Sequence, residues 1–257
     1  LILEPLGVLS ARIVFAHLAV IALALTFLRS RMKESERWEA AKVEQAKADT
    51  DWRILLQPKY LKSMAFLVGM YGLWNLWAGT NGFFFPYILR TVGDQSQQMS
   101  VALQAGGFIL SMISIYFVFM KLSDKVNQRL LFGISAAMQI VGMALLAVFP
   151  LTLPIAMLHI FLMQFGGGFG AQSFFQLWSA EQFPTAVRAT AQGATFAIVR
   201  IGLGLFSLFA ASMLSTDFTT LAWILVGFLV ASAAVGMIWA PRNEGKSLEQ
   251  LDAERAM

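Results

Sequence analysis

Two arginines and a scatter of side-chain amides are the residues of this chain with chemistry to do. Glu181-Gln182-Phe183-Pro184-Thr185 reads as a polar turn, with Arg188 seven residues after Glu181, and an apolar helix follows that carries Arg200 deep inside it. A charge at mid-depth of a membrane helix costs about 2.5 kcal/mol or more, so such a residue faces a protein interior or a water-filled cavity. Arg200 therefore either pairs with backbone carbonyls and locks helices together, or lines a solute pathway. Asn75, Thr80 and Asn81 punctuate another apolar run, among Trp74, Trp77 and Phe83, Phe84 and Phe85. Amides both donate and accept, and aromatic faces stack on the C–H surface of a ring, so this set suits a polyhydroxylated or cyclic solute. Gln172 and Gln176 are four apart and share a helix face. The competing role for any of these amides is a hydrogen bond between helices, worth about 0.6 kcal/mol. Asn75, Asn81, Gln172, Gln176 and Arg200 form the candidate solute-binding set.

Catalysis finds no support. No His, Asp or Glu cluster lies within the apolar runs, and no nucleophile stands beside a base. His17 and His159 are isolated and cysteine is absent, which leaves no expected metal site, disulfide or cofactor. The chain is not expected to be an enzyme.

The elements that must hold these side chains are membrane spans. Hydrophobic residues make up 58%, charged residues 13%, and the mean hydropathy is +0.66. A soluble domain is about 25% charged. The net charge of +4 implies no nucleic acid, because the basic residues sit in loops beside the spans. Apolar segments at 7–28, 63–88, 100–120, 130–149, 153–179, 189–214 and 218–240 each approach or exceed the roughly 20 residues that cross a bilayer. Gly166-Gly167-Gly168 and Gly170 interrupt the fifth, and Gly79, Gly82 and Pro86 interrupt the second. Such breaks are tolerated where the freed backbone faces protein or a cavity; the other reading of the glycines is close helix packing.

Lys and Arg counts set the orientation. Nine basic residues fall in 29–62, three in 121–129, one in 180–188 and three after 240, against Arg12 and Arg90 on the other side. The richer side is cytoplasmic, so the chain enters from outside and ends inside. Seven spans with outside-first entry suit the last helix of one half followed by six helices of a second. The start at Leu1, without an initiator Met, reads as a piece of a longer protein. The divisions are 1–28, the last helix of the first half; 29–60, a cytoplasmic linker with an amphipathic helix over 35–48; 61–240, a six-helix bundle; and 241–257, a cytoplasmic tail. The basic loop 121–129 is either a simple topological anchor or one side of an ion-pair latch with Glu181 and Arg188.

Taken together, these pieces resemble the sugar porter branch of the major facilitator superfamily, and within it the inositol and related metabolite transporters. Four motifs carry the resemblance. Lys33-Glu34-Ser35-Glu36-Arg37-Trp38 stands where the family has a PESPRW-like sequence, and Asp124-Lys125-Val126-Asn127-Gln128-Arg129 stands for the DRxGRR loop. The E-x-F-P-x-x-x-R-A turn is intact as Glu181, Phe183, Pro184, Arg188 and Ala189, and the PETKG-x-SLE tail survives as Pro241, Gly245, Ser247, Leu248 and Glu249. In the seventh-helix motif QQxxGxN…YY, Asn75 and Leu76 replace the two glutamines, Gly79 and Asn81 match, and Phe84 and Phe85 fall near the tyrosine pair. The tenth-helix tryptophan of many members falls at Gln176.

The resemblance implies an all-α membrane protein of major facilitator fold, located in the cell membrane, in bacteria the inner one. It implies alternating access, with two six-helix halves rocking around a midplane site. Asp124, Arg129, Glu181 and Arg188 would form the cytoplasmic latch. The solute would be a sugar or polyol such as myo-inositol, coupled to protons. A carboxylate carrier with Arg200 as anchor and a transport-inactive remnant are the other readings. The partners implied are a small solute, the bilayer and the missing N-terminal half, with the chain monomeric.

Overall fold

The structure, a computed structural model, describes residues 8–32, 52–241, 243 and 250. The expected linker helix over 35–48, the Lys33–Trp38 motif and the tail motif from Gly245 to Glu249 lie outside the described residues. Among the described residues every regular element is helical. The chain divides into two compact units, Leu1–Asp49 and Thr50–Met257.

The first unit contains α1, Val8–Ser30. Its sequence is apolar on all sides from Ile13 to Leu28 except at His17 and Thr26, the pattern of a helix that meets hydrocarbon all round. Arg29 lies in its last turn, where a cation meets the negative end of the helix dipole.

The second unit begins with a 3₁₀ turn, Trp52–Leu56, and continues with α2, Pro58–Thr91. Then come α3, Gln97–Leu122; α4, Gln128–Val148; and α5, Leu153–Gln182. The last are α6, Thr185–Thr216, and α7, Phe218–Trp239. The starts are written in local chemistry. Pro58 occupies the first turn of α2 and Pro154 that of α5, where a missing N–H costs nothing. Side chains of Ser96, Asn127 and Asp217 cap α3, α4 and α7 by accepting from the amides of Met99, Leu130 and Thr220 at 3.2, 3.0 and 3.0 Å.

Within this unit α7 packs along α4 and α2, α6 packs along α2, and the middle of α5 packs on α3 and α4. Among the described residues six helices, α1 and α3 to α7, are long and apolar enough to cross a membrane. α2 is long enough at 34 residues, but its Trp, Tyr and Asn side chains make it more polar than its neighbours. Phe108, Ile109 and Met112 of α3 and Ile201, Leu205 and Leu208 of α6 lie exposed, an apolar surface suited to lipid or to another apolar partner.

The two expected glycine breaks come out differently. α2 runs unbroken through Gly79, Gly82 and Pro86. Gly79 serves close packing: a Cβ there would stand 2.4 Å from a Leu203 methyl on α6. α5 is irregular. It carries a π-helical turn at Phe161–Phe165, passes through Gly166–Gly168, breaks at Phe169 and Gly170, and resumes at Ala171. Serine hydroxyls satisfy the freed carbonyls. Ser114 donates to the Phe165 oxygen at 2.5 Å, Ser135 to Gly166 at 2.7 Å and Ser173 to Gly168 at 2.7 Å. Non-helical backbone is thus tolerated here because protein, not lipid, surrounds it.

Candidate functional site

Tyr71 organises the site. Its ring stacks on Phe175 of α5 at 4.2 Å and leans on Phe196 of α6 at 5.4 Å. Trp74, on the next turn of α2, stacks on it at 5.8 Å. Three helices therefore meet over one aromatic floor. Tyr71 is fully buried, yet its hydroxyl donates to Gln172 Oε1 at 2.6 Å. That bond fixes the orientation of a half-buried amide.

A second chain of bonds begins at Trp74. Its indole N–H donates to Gln139 Oε1 at 2.7 Å, and Gln139 Nε2 donates to Ser135 Oγ at 3.0 Å. Ser135 in turn donates to the Gly166 carbonyl at 2.7 Å. Each donor finds an acceptor in one direction, from α2 through α4 to the irregular stretch of α5. Gly170 makes room for it: a Cβ there would lie 2.5 Å from Ser135 Oγ and 2.8 Å from Gln139 Nε2.

The candidate residues fall into two groups. Asn75 is buried and donates to the Tyr71 carbonyl at 3.2 Å, one turn back on its own helix. Asn81 is also buried, and its Oδ1 has no partner; the same holds for Trp77 Nε1 one turn earlier. Gln172 is half-buried, while Gln176 and Arg200 are exposed. The Arg200 guanidinium lies 5.5 Å over the Phe196 ring, a cation–π contact. It is also within electrostatic range of the Tyr71 hydroxyl. Tyr71, Asn75, Gln172 and Arg200 therefore gather around one floor, on α2, α5 and α6. Asn81 lies a turn and a half beyond Asn75 along α2.

The latch candidates lie at the end of α5, near the starts of α4 and α6, and in the turn before α4. Glu181 accepts from Gln128 Nε2 at 3.3 Å and from Asn243 Nδ2 at 3.2 Å. Gln128 itself accepts from the buried Trp178 indole at 2.7 Å. Arg129 donates to the Ala240 carbonyl, and Arg188 donates to the Phe183 carbonyl at 3.3 and 3.2 Å. Asp124 lies exposed in the turn between α3 and α4. Glu181, Gln128 and Arg129 thus tie the ends of α4, α5 and α7 together.

His159 is a core residue. Its ring is fully buried, stacks on Phe85 at 5.1 Å, and lies 2.7 Å from the Gly142 carbonyl through Nδ1. A carbonyl only accepts, so Nδ1 carries the proton and joins α5 to α4. No group of metal-ligating side chains occurs among the described residues.

Sequence reasoning passed over Tyr71, Gln139, Phe175 and Phe196. The signals were present. Tyr71 is one turn before Asn75, and Gln139 is an amide within an apolar span, the same warrant that singled out Gln172. Trp178, also on α5, donates to Gln128 at the latch end.

Comparison with known proteins follows from this geometry. The family model for the Major Facilitator Superfamily matches residues 1–207. The minor myo-inositol transporter IolF of Bacillus subtilis (strain 168) is 44% identical over 259 residues, covering 97% of this chain and 59% of that protein. Among solved structures, the proton:xylose symporter XylE bound to 6-bromo-6-deoxy-D-glucose is similar with a TM-score of 0.74 at 19% identity. That match covers 95% of this chain and 59% of the other. At that identity the likeness shows the fold. The chain spans 59% of the length of the curated relative.

Proposed function

The chain belongs to the major facilitator superfamily as a multi-pass membrane protein, and on that premise we propose that it forms part of a transporter for a neutral sugar or polyol, with myo-inositol the leading solute. The observation that carries the reading is the 44% identity, over 97% of the chain, to a myo-inositol transporter. The geometry supports it. Trp74, half-buried and stacked on the Tyr71–Phe175 pair, would offer a flat face to the C–H side of a ring. Gln172, oriented by Tyr71, and the exposed Gln176 offer amides to its hydroxyls. Asn75 and Asn81 are buried in this conformation and would meet solute only in another state of the cycle.

Transport would proceed by alternating access, with the N-terminal half supplying the other face of a midplane site, and uptake would be coupled to protons. Asp124, Arg129, Glu181 and Arg188 would hold the cytoplasmic end closed, and Gln128 and Asn243, both bonded to Glu181, join them. A second reading rests on one observation: Arg200 presents an exposed guanidinium that could fork onto a carboxylate.

The test is uptake into cells lacking their own inositol carriers, with the whole transporter expressed and myo-inositol, hexoses and small carboxylates offered in turn. Uptake of myo-inositol that an uncoupler abolishes is the expected result. Uptake of a carboxylate alone would replace the polyol reading with the second one.

A further inference from the structure

A cavity of about 750 Å³ opens between the start of α2, the end of α5 and the end of α7. It is separate from the aromatic floor. Phe66, Val235 and Trp239 make an apolar wall, while Lys62, Ser63 and Gln182 put an amine, a hydroxyl and an amide on its rim. Lys62 supplies the charge of the lining, and it is positive.

Location narrows the occupant. The Lys and Arg count puts this end of the bundle at the cytoplasmic surface. Trp239 ends α7 with an exposed ring, the residue type that sits at headgroup level. Met237 and Ile238 beside it are exposed and apolar, which continues the apolar wall onto the outer surface of α7. A small free anion would meet Lys62 and Ser63 but leave the apolar wall at Val235 and Trp239 wetted. A molecule with a phosphate at one end and a hydrocarbon chain at the other satisfies both.

We propose that this cavity is a headgroup site for an anionic phospholipid of the cytoplasmic leaflet. The phosphate is held by Lys62 and Ser63, and an acyl chain runs along Phe66 and Val235. The site needs no assumption about the transported solute.

Native mass spectrometry of the full chain in detergent tests it, with phosphatidylglycerol and phosphatidylcholine of identical acyl chains as probes. Phosphatidylglycerol should fill the first bound-lipid position at about one-fifth of the concentration that phosphatidylcholine needs, the scale of one lysine near an anionic surface. Lys62→Gln should erase the preference. Lys59→Gln, one turn away and equally exposed, should keep it. Equal binding of the two lipids overturns the proposal. So does an unchanged preference in Lys62→Gln, an equal loss in Lys59→Gln, or displacement of phosphatidylglycerol by inorganic phosphate at matched charge.

Discussion

Tyr71→Phe separates shape from hydrogen bonding at the site. The substitution keeps the ring, and with it the contacts to Phe175, Trp74 and Phe196 at 4.2, 5.8 and 5.4 Å. It removes a single hydroxyl, whose partner is Gln172 Oε1 at 2.6 Å. Hydrogen bonds between membrane helices average about 0.6 kcal/mol and reach about 1.7. The thermal stability of the purified protein should therefore fall only slightly. The freed Gln172 amide loses its fixed orientation, and if it binds solute, that same free energy appears in binding. The KM for myo-inositol should rise by about three-fold to about eighteen-fold, the range those energies give, while the maximal rate changes little. Uptake kinetics of Tyr71→Phe, Gln172→Ala and the double variant form the assay. A double variant no worse than Gln172→Ala alone shows that Tyr71 acts through Gln172. An unchanged KM in Tyr71→Phe, or effects that simply add, would refute the reasoning and leave the bond as scaffolding.

The other predictions concern different parts of the molecule. Arg200→Gln should leave myo-inositol uptake in place, because the exposed guanidinium has no anion to hold in a neutral solute; loss of polyol uptake at normal expression would count against the polyol reading. Gly168→Ala would set a methyl 2.5 Å from the Ser111 carbonyl oxygen, which a backbone cannot yield, so melting should show a loss of about 1–3 kcal/mol. Gly202→Ala, with open space around it, should be neutral or slightly stabilising. Asp217 caps α7 by accepting from the Thr220 amide at 3.0 Å and hydroxyl at 2.5 Å, and these bonds hold its pKa below the usual carboxylate value. Its contribution is therefore full above that usual value and lost as pH falls through the lowered one. Melting curves of the parent and Asp217→Ala should differ at neutral pH and converge in acid; a constant gap would refute the linkage.

Much of the fold was legible because lipid imposes simple rules. Length and apolarity locate α3 to α7, and proline and capping residues mark the starts of α2 to α7 at Pro58, Ser96, Asn127, Pro154, Pro184 and Asp217. Glycine gave a mixed signal because the same residue type serves two purposes. Gly79 only admits Leu203, whereas the Gly166–Gly170 stretch truly departs from helix, and what separates the cases is the serines that wait for its carbonyls. Two of those serines, Ser114 on α3 and Ser135 on α4, are far from the stretch in sequence, so the distinction was not readable locally. The site was half legible. Amides inside apolar runs could be listed, but which partner each would find depends on which helices touch.

That choice of partner decides what each amide can do. Gln139 and Asn75 are buried and spend their bonds inside the protein, on Trp74, Ser135 and the Tyr71 carbonyl. In this conformation their bonds stay inside the protein and brace the aromatic floor. Gln176 and Arg200 are exposed and keep their capacity for something that arrives. Gln172 stands between, with one oxygen committed to Tyr71 and its Nε2 donors still to spend. These polar side chains on α2, α4, α5 and α6 thus grade from buried to exposed, so substitutions at Gln139 should act on stability and, if the proposed site holds, those at Gln176 on affinity. Gln172 is the position where the two effects should meet, which is why the cycle with Tyr71 discriminates between them.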